Sequence, residues 1–311
     1  MAITWRLDDI YTGLWVLHGS IWGVLARKGL IALTSFSSAY LGGVVWANFA
    51  ACVVMGCLQA STKIWTQVGH PNPIFIGLTT GFCGTLSSFS SVIVESVTLA
   101  INIDHVSVPA PGYGTMQVFD VIIGQFAISY VGLLLGGHLG EWLEQTVPKF
   151  DRGYRFMVVI GAAIGVGLII ADAIIIGTVA SSREWTFSVL FAPLGALIRW
   201  QLSKLNNAQW FYGTYIANVV GTVSLSVFSL LQFGLTTHRT PLVTNYTARQ
   251  VLVGLDDGFC GGLTTVSTFV VELKKSSRGK AYVYIIASVL PSFIMVLLVL
   301  GSYHWTKGLA R

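Results

Sequence analysis

The sequence predicts an all-α integral membrane protein, in which two inverted four-helix repeats are joined by one linking helix. Hydrophobic residues make up 54% of the chain and charged residues only 10%, whereas a soluble domain carries about 25% charge. A glycine- and hydroxyl-rich segment also occurs twice, as GFCGTLSSFSSVIVE at 81–95 and GFCGGLTTVSTFVVE at 258–272. Both copies lie inside long apolar stretches. This recurrence indicates a duplicated transmembrane unit with a polar break near its centre, which lipid tolerates only where the break is buried in protein or lines a polar path.

Nine membrane spans are predicted, because a helix needs roughly 20 apolar residues to cross the hydrocarbon core. They lie near 10–32, 39–63, 73–103, 116–140, 156–179, 186–204, 210–233, 248–274 and 281–304. The third and eighth spans contain the repeated segment, and each is expected to form two half-helices that meet at a break. The polar, acidic start of the chain does not read as a cleavable signal peptide, so the first span is expected to act as a signal anchor.

The repeats are recognised by markers that follow the same order in both halves. A helix-end arginine (Arg27, Arg199) is followed by a mid-helix asparagine (Asn48, Asn218) and then by the glycine segment. The fifth span belongs to neither repeat, and a single linking helix turns the second repeat upside down relative to the first. The expected units are the first four-helix repeat at 1–145, the linking helix at 146–182 and the inverted second repeat at 183–311.

Loop charges predict the orientation of the chain, since cytoplasmic loops are enriched in Lys and Arg. The loops after the fourth and eighth spans hold Lys149, Arg152, Arg155, Lys274, Lys275, Arg278 and Lys280. The other side has Lys28, Arg183, Arg239, Arg249, Lys307 and Arg311, spread thinly. The N-terminus is therefore expected in the cytoplasm and the C-terminus outside, in the plasma membrane. A glycosylation sequon at Asn245 falls in an outside loop on this scheme.

The broken spans are the first candidates for a functional site. An unwound helix leaves N–H and C=O groups without partners, and these groups can bind an ion. Hydroxyl side chains surround both breaks: Ser87, Ser88, Ser90, Ser91, Thr264, Thr265, Ser267 and Thr268. A packing interface of small residues is the alternative, but clustering with hydroxyls and recurrence in both repeats favour an ion site.

Further polar residues are predicted inside the membrane. The amides of Asn48 and Asn218 either join helices or donate to an anion, and their position beside a broken helix favours the anion. Tyr284, Ser288 and Ser292 recur every four residues and therefore lie on one face of the ninth span. The corresponding helix of the first repeat offers the poorer series Gln125, Ser129 and Leu133.

The charged residues of the predicted spans are expected near the membrane surfaces or at the ends of the buried helices. Arg27 and Arg199 lie toward helix ends, where snorkelling to the interface is expected. Glu95 and Glu272 match each other after the breaks and are expected in vestibules or at the ends of the buried helices. Asp172 lies in the linking helix near its end, so interfacial exposure is expected there as well.

Several function classes lack support in the sequence. It contains no P-loop, HExxH motif or nucleophile elbow, so an enzyme is not expected. The spacing of its cysteines and histidines does not suggest a zinc site. The sequence has no basic run interleaved with aromatic residues, so it does not indicate a nucleic-acid partner.

The motif GGLTTVSTF with the downstream Glu272, preceded by Asn218 and Arg199, resembles the Fluc or CrcB family of fluoride channels. A chain with two repeats joined by one helix resembles the fused eukaryotic fluoride exporters of this family. The resemblance covers nearly the whole chain. It implies a passive, fluoride-selective channel that exports the anion from the cytoplasm, with fluoride, sodium and the lipid bilayer as partners and a monomeric pseudo-dimer as the working unit.

In this family each pore is lined by two phenylalanines, one from each repeat. When these positions are matched to this chain, only one of the two pores has both phenylalanines. Phe89 and Phe269 complete one pore, whereas Val92 and Val266 both fall in the other, which is therefore expected to be vestigial. The residues expected to line the pore and contact fluoride are Phe89, Phe269, Asn48, Asn218, Tyr284, Ser288, Ser292, Thr265 and Ser88. The resemblance also implies a central structural Na⁺, held by the backbone carbonyls of Gly84, Ser87, Gly261 and Thr264.

Two other functions remain open from the sequence. A secondary transporter of another small ion or solute would use the same inverted repeat, but it requires a titratable midplane group, for which Asp172 is the candidate. A non-transporting scaffold would leave the midplane polar residues dispensable.

Overall fold

The computed structural model describes residues 7–34, 41–65, 72–103, 107, 110–147 and 153–310. Within them the protein is helical, apart from two isolated β-bridges, Gly234 with Leu309 and Leu235 with Pro241. The first half of the chain contains α1 (Leu7–Thr34), α2 (Val45–Ala60), α3 (Thr62–Trp65), α4 (Pro73–Ile76), α5 (Phe89–Ala100), α6 (Tyr113–Thr146) and α7 (Tyr154–Thr178). The second half contains α8 (Arg183–Ser203), α9 (Tyr212–Phe233), α10 (Tyr246–Val253), α11 (Ser267–Lys275), α12 (Arg278–Val296) and α13 (Ser302–Thr306).

Short irregular helical segments connect some of these helices. α4 and α10 each continue through a π-helical stretch and one further turn before the chain breaks. The π-helical stretches are Gly77–Cys83, Gly254–Cys260 and Leu297–Gly301; the single turns are Gly84–Leu86 and Gly261–Leu263; Ala180–Ser182 is a 3₁₀ turn. π-Helical segments are rare and occur often at functional sites, and they were not predicted from the sequence.

Six helical segments of the described chain are long and apolar enough to cross a membrane. They are Asp8–Thr34, Pro73–Ala100, Tyr113–Thr146, Tyr154–Thr178, Tyr212–Phe233 and Arg278–Thr306. Val45–Ala60 is apolar but shorter. The predicted class, an all-α integral membrane protein, is confirmed at this level.

The outward surface has the character expected beside lipid. In α7 the side chains of Ile170 and Ile174 are 57% and 60% exposed, and only 22% of the most apolar window of this helix is buried in the protein. A helix that is apolar all round and covered on one side only is stable where hydrocarbon covers the rest.

Glycines let α1 and α8 pack directly against the backbone of the two interrupted segments. A Cβ added to Gly19 of α1 would lie 2.1 Å from the carbonyl oxygen of Gly77, and one added to Gly195 of α8 would lie 2.2 Å from that of Phe259. Because the obstacle is backbone in both cases, no side chain can be accommodated without moving a helix. The same close approach therefore occurs once in each half of the chain.

The two interrupted helices break at corresponding residues. The first turn ends at Leu86 and the second at Leu263, and the next residues are extended: Ser87 has φ −89° and ψ 152°, and Thr264 has φ −92° and ψ 157°. The chain then re-enters helix at Phe89 and at Ser267. The predicted breaks are confirmed in position.

Candidate ion pathway

The two breaks meet in the interior. A hydroxyl group at each break caps the helix that follows the other break. Ser87 Oγ accepts hydrogen bonds from the backbone N–H of Val266 at 3.2 Å and of Ser267 at 3.0 Å. Thr264 Oγ1 accepts one from the backbone N–H of Ser90 at 3.3 Å. The first N–H groups of a helix have no partner within it, and here a hydroxyl from the opposite half of the chain supplies one.

Hydroxyl groups fill the space between the breaks. Thr264 Oγ1 lies 2.9 Å from Ser90 Oγ and 3.4 Å from Ser88 Oγ, and Ser87 Oγ lies 3.3 Å from Thr265 Oγ1. All of these side chains are fully buried. The centre of the molecule is thus a polar cluster formed by both halves, as the recurrence of the segment predicted.

The expectation that Arg27 and Arg199 snorkel to the interface is wrong. Their exposures are 2% and 4%, because each guanidinium is drawn inward by carbonyl groups that the π-helical segments and turns present. Arg27 donates to the carbonyl oxygens of Thr85, at 2.6 Å, and of Asp257.

Arg199 makes the matching pair of bonds in the other half. Its Nε donates to Gly262 O at 2.9 Å and its Nη2 to Thr80 O at 2.7 Å. Each arginine therefore joins one interrupted segment of its own half to the segment of the other half.

Phe89 and Phe269 lie side by side, as the family resemblance implied for one pair of rings. Their ring centroids are 5.4 Å apart with the planes at 66°, and neither side chain is exposed. Phe126 of α6 is a third ring, 5.9 Å from Phe89 and 5.5 Å from Phe269 between centroids. Sequence reasoning missed Phe126, because an apolar residue in a lipid-facing helix gives no separate signal.

Val92 and Val266 are also fully buried, in the same apolar core that holds Phe89 and Phe269. Aliphatic side chains stand there in place of the two rings. The two pairs therefore differ in side-chain type, phenylalanine against valine, as the motif predicted, and both pairs lie in the interior of the fold.

Asn48 and Asn218 form hydrogen bonds with the backbone at the two breaks. Asn218 Oδ1 accepts from the backbone N–H of Thr265 at 2.8 Å, and Asn48 Oδ1 accepts from that of Ser88 at 2.9 Å. Each amide therefore satisfies a backbone donor that the break frees. The amide nitrogens differ, since that of Asn218 donates to Thr265 O at 3.2 Å and that of Asn48 to Gln125 Oε1 at 3.0 Å.

Glu272 marks one end of a polar region in the second half of the chain. It is 6% exposed, so it is enclosed by protein rather than lying in an open vestibule. Its Oε1 accepts from Thr214 Oγ1 at 2.6 Å and Asn206 Nδ2 at 3.0 Å, and its Oε2 accepts from Tyr284 OH at 2.8 Å. The four residues bring α9, α11, α12 and the connection before α9 together.

The predicted hydroxyl series of α12 begins beside the ring of Phe269. The ring of Tyr284 is 4.8 Å from that of Phe269 between centroids, and Ser288 and Ser292 are fully buried. Ser292 Oγ donates back to Ser288 O at 2.8 Å. Ser288 Oγ is buried without a hydrogen-bond partner among the described residues, so it can still bind something in its surroundings.

A second polar series runs along α9 and was missed. Its members, all buried, are Thr214, Asn218, Thr222, Ser226 and Ser229. Spacings of three or four residues put them on one helix face. That spacing was present in the sequence and could have been found by the test that found the series on α12.

A cavity of about 350 Å³ lies at the far end of the α9 series, where Ser229 forms part of its wall. Its polar lining is Ser91, Glu95, Thr98, Ser229, Gln232, Asp256 and Asp257, with Leu300 and Leu309 among the apolar residues. Glu95 therefore lies at a cavity wall, as expected for a vestibule. Glu95 Oε1 accepts from the backbone N–H of Gly43 at 2.9 Å.

Asp256 and Asp257 are functional candidates that sequence reasoning missed. Asp256 Oδ2 accepts from Ser229 Oγ at 3.2 Å and from Gln232 Nε2 at 3.3 Å, whereas Asp257 pairs with Lys28. Two adjacent acids inside an apolar stretch were the available signal, since such residues are costly in a membrane and usually functional.

The interfacial exposure expected for Asp172 is wrong. The residue is 6% exposed, because α7 packs its Gly161–Gly165 face closely on α1 and carries Asp172 on that covered side. Its Oδ2 is buried without a hydrogen-bond partner among the described residues.

The backbone at the breaks fits the donor set that a sodium ion prefers. The extended ψ of Ser87 and Thr264 turns their carbonyl groups out of the preceding helical turn. Among the described residues, no hydrogen bond outside the ladders within helices ends on either carbonyl oxygen. Hard cations take oxygen ligands, backbone carbonyls included.

Comparison with known proteins shows the family of the chain. The family described as CrcB-like protein, Camphor Resistance (CrcB), matches residues 14–137 and 186–301. The chain is 46% identical to fluoride export protein 1 of Candida albicans, over 94% of this chain and 80% of the relative. It is 27% identical to fluoride export protein 1 of Saccharomyces cerevisiae, over 94% and 92%.

A shorter bacterial relative matches part of the chain. The fluoride-specific ion channel FluC of Acinetobacter baumannii is 34% identical over 38% of this chain and 92% of its own length. No solved structure matches.

The fold and the buried polar interior define a helical membrane protein with an ion-pathway architecture. More particularly, the chain belongs to the CrcB-like family, since the family matches both halves and more than half of its residues.

Proposed function

We propose that this protein is a passive, fluoride-selective channel that exports the anion from the cytoplasm. The observation that carries the proposal is the pair of buried polar series on α9 and α12. Both series start at Glu272, which accepts hydrogen bonds from Thr214 of α9 and from Tyr284 of α12. Tyr284 also lies against Phe269 of the ring pair, and the α9 series reaches the cavity wall at Ser229. The names of the relatives, fluoride export protein and fluoride-specific ion channel, support fluoride as the transported ion.

The chemistry of the pathway suits a small, strongly hydrated anion. An ion in the bilayer centre is very costly unless polar groups replace its water. The hydroxyls of Tyr284 and Ser288 and the amide of Asn218 are such groups. Further candidates are Ser88 and Thr265 at the breaks, Ser292 on α12 and Asn48 on α2. The electropositive edges of Phe89 and Phe269 can face an anion, and rigid rings keep the path narrow.

One conducting pore is proposed. Phe89 and Phe269 line it, and the route past Val92 and Val266 is vestigial. Support comes from the second half of the chain, where both buried polar series of the conducting route are found. No energy source is needed, since a negative-inside potential drives an anion outward by about 2.3 kcal/mol per charge per 100 mV.

The proposed membrane arrangement has nine spans in two inverted repeats, 1–145 and 183–311, linked by 146–182. The paired bonds of Arg27 and Arg199 and the paired close approaches of Gly19 and Gly195 support it. The N-terminus is proposed in the cytoplasm and the C-terminus outside the plasma membrane. Lys149, Arg152 and Arg311, used for this orientation, lie outside the described residues. One chain holds both halves of the site, so a monomer is the proposed working unit.

A structural Na⁺ between the breaks is also proposed. The backbone carbonyls of Gly84, Ser87, Gly261 and Thr264 would hold it, and it would supply a fixed positive charge where two helix-breaking segments meet. Replacing Na⁺ by N-methyl-D-glucamine on both sides of the membrane tests this proposal. A lower melting temperature and slower flux are expected, and unchanged values would contradict it.

The function is tested by efflux from liposomes that contain the purified protein, measured with a fluoride electrode. Fluoride is expected to leave when valinomycin shunts the charge, whereas chloride should stay behind. Empty liposomes are the control.

A proton-coupled transporter is the second candidate, because Asp256, Asp257 and Glu272 place carboxylates at both ends of the path. It predicts that an imposed pH gradient moves fluoride uphill. A channel does not move it against its electrochemical gradient, so this single experiment separates the two functions.

A further inference from the structure

Phe126 of α6 contacts both rings of the pair that joins the two halves of the chain. Its ring centroid is 5.9 Å from that of Phe89, with the planes stacked at 29°. It is 5.5 Å from that of Phe269, with the planes at 42°. Since Phe89 and Phe269 are themselves 5.4 Å apart, the three rings form one closed group in which each ring touches the other two.

The two rings of the pair depend on Phe126 to different degrees. Phe269 has a further aromatic neighbour, because its ring centroid lies 4.8 Å from that of Tyr284. For Phe89, the part of the chain that the structure describes supplies Phe126 and Phe269 as ring neighbours. Without Phe126, Phe269 would keep two aromatic contacts and Phe89 would keep one. Phe89 is therefore the ring whose orientation depends most on Phe126.

Phe126 stands at the edge of the interior, between the ring pair and the exposed face of α6. Its side chain is half-buried and packs against the core that contains the pair. On the same helix, Ile123 and Tyr130 are 62% and 39% exposed, whereas Gln125 is fully buried. The ring thus closes the α6 side of the pair.

The second half of the chain has an aliphatic residue at the corresponding position. The acid after each break accepts a hydrogen bond from Gln125 of α6 in the first half and from Tyr284 of α12 in the second. These two residues therefore correspond, and the next residue is Phe126 on α6 and Ile285 on α12. Ile285 is half-buried against the core that also holds the two valines of the other route. The contrast between rings and aliphatic side chains thus extends to a third position.

We propose that Phe126 is a positioning residue of the conducting pore, where it holds the ring of Phe89 in its edge-to-face approach to Phe269. This inference rests on the proposed channel function and deepens it. Aromatic pairs favour stacked or edge-to-face orientations, so a ring stacked on Phe89 favours one orientation of that ring. An aliphatic side chain at position 126 keeps an apolar contact but offers no plane on which Phe89 can stack.

Efflux from liposomes tests the role of the ring. Phe126→Leu is expected to lower fluoride efflux about tenfold, a loss within reach of one aromatic contact. Phe126→Tyr keeps the ring and is expected to recover the native rate to within about threefold. Phe293→Leu is the matched control, because Phe293 is a half-buried phenylalanine of α12 that packs against the same core. The control should conduct at the native rate.

The position of the Phe89 ring is measured without transport. Phe89 is replaced by 4-fluorophenylalanine, and the fluorine NMR signal of the purified protein is recorded. One narrow signal is expected in the otherwise native chain and in Phe293→Leu, whereas Phe126→Leu should broaden or split it. If Phe126→Leu does not elute as a monodisperse peak, Phe126→Met takes its place in both experiments, because methionine fills irregular gaps without a ring.

Four results would overturn the inference: native efflux through Phe126→Leu, an equal loss in Phe293→Leu, no recovery in Phe126→Tyr, or an unchanged fluorine signal. Each of them shows that the ring of Phe126 does not hold that of Phe89 in a conducting position. The native chain is measured beside every variant. If it carries no fluoride, the channel proposal fails, while the fluorine signal still decides whether Phe126 fixes the ring of Phe89.

Discussion

The edge of one ring meets the face of the other where Phe89 and Phe269 approach, at 5.4 Å between centroids and 66° between planes. The two residues come from different halves of the chain, so neither half contains the complete pair. Edge-to-face geometry presents the positive rim of one ring toward the groups around it. If this pair lines the conducting pore, an aliphatic side chain at either position removes that rim.

Phe89→Ile and Phe269→Ile are each expected to reduce fluoride efflux more than tenfold, to the level of empty liposomes. Val92→Ile and Val266→Ile are the matched controls, because both sites are equally buried and lie on the other route. Efflux through the two controls should stay close to the native rate. Equal losses from all four substitutions would remove the single-pore proposal.

Tyr284→Phe is expected to slow efflux about tenfold, since it removes a hydrogen bond to the carboxylate of Glu272 and bonds to charged groups contribute about 1.5–3 kcal/mol. The ring and its contact with Phe269 remain. Tyr303→Phe is the control, because its hydroxyl donates to Leu235 O on another part of the molecule. A native rate in Tyr284→Phe would show that its hydroxyl does not contribute to the path.

Arg27→Lys and Arg199→Lys are expected to lower the free energy of unfolding by about 1.5–3 kcal/mol for each carbonyl bond lost. An ammonium group cannot span the two carbonyls that each guanidinium reaches, and the residue left behind is buried. The melting temperature in detergent checks this expectation. Arg249→Lys on the exposed surface should leave it unchanged, and a similar loss there would point to a general effect of the exchange.

Gly136→Ala is expected to destabilise the packing of α2 on α6 by about 1–3 kcal/mol, the usual cost of overpacking. An added Cβ would lie 1.9 Å from Val53 O, whereas nothing lies within 4 Å of one added to Gly137. Gly137→Ala is therefore a control one residue away, with the same change in composition. Thermal melting of both variants should separate them clearly; identical curves would mean that the two helices do not pack as described.

Part of this arrangement was accessible from the sequence. The breaks and the hydroxyl series on α12 follow from a repeated motif and from spacing, which are local properties of the chain, whereas the pairing of the two rings follows from the family resemblance. The burial of Arg27 and Arg199 was not accessible, because it depends on carbonyl groups that become available only when the other half of the chain packs beside them.

Two further features were hidden for different reasons. Phe126 looks like any other apolar residue of a lipid-facing helix until its ring is found against Phe89. The bonds of Gln125 join residues far apart in sequence, Asn48 and Glu95, and the spacing of residues along one helix does not predict such contacts. Such roles emerge from contacts between elements, which periodicity does not encode.

The exchange of hydroxyl caps between the two breaks has a consequence for biosynthesis. While the ribosome is still making the second half, α5 waits in the bilayer with the amide of Ser90 lacking the threonine oxygen that will later satisfy it. Separately expressed halves are therefore expected to accumulate in cells only when both are produced together.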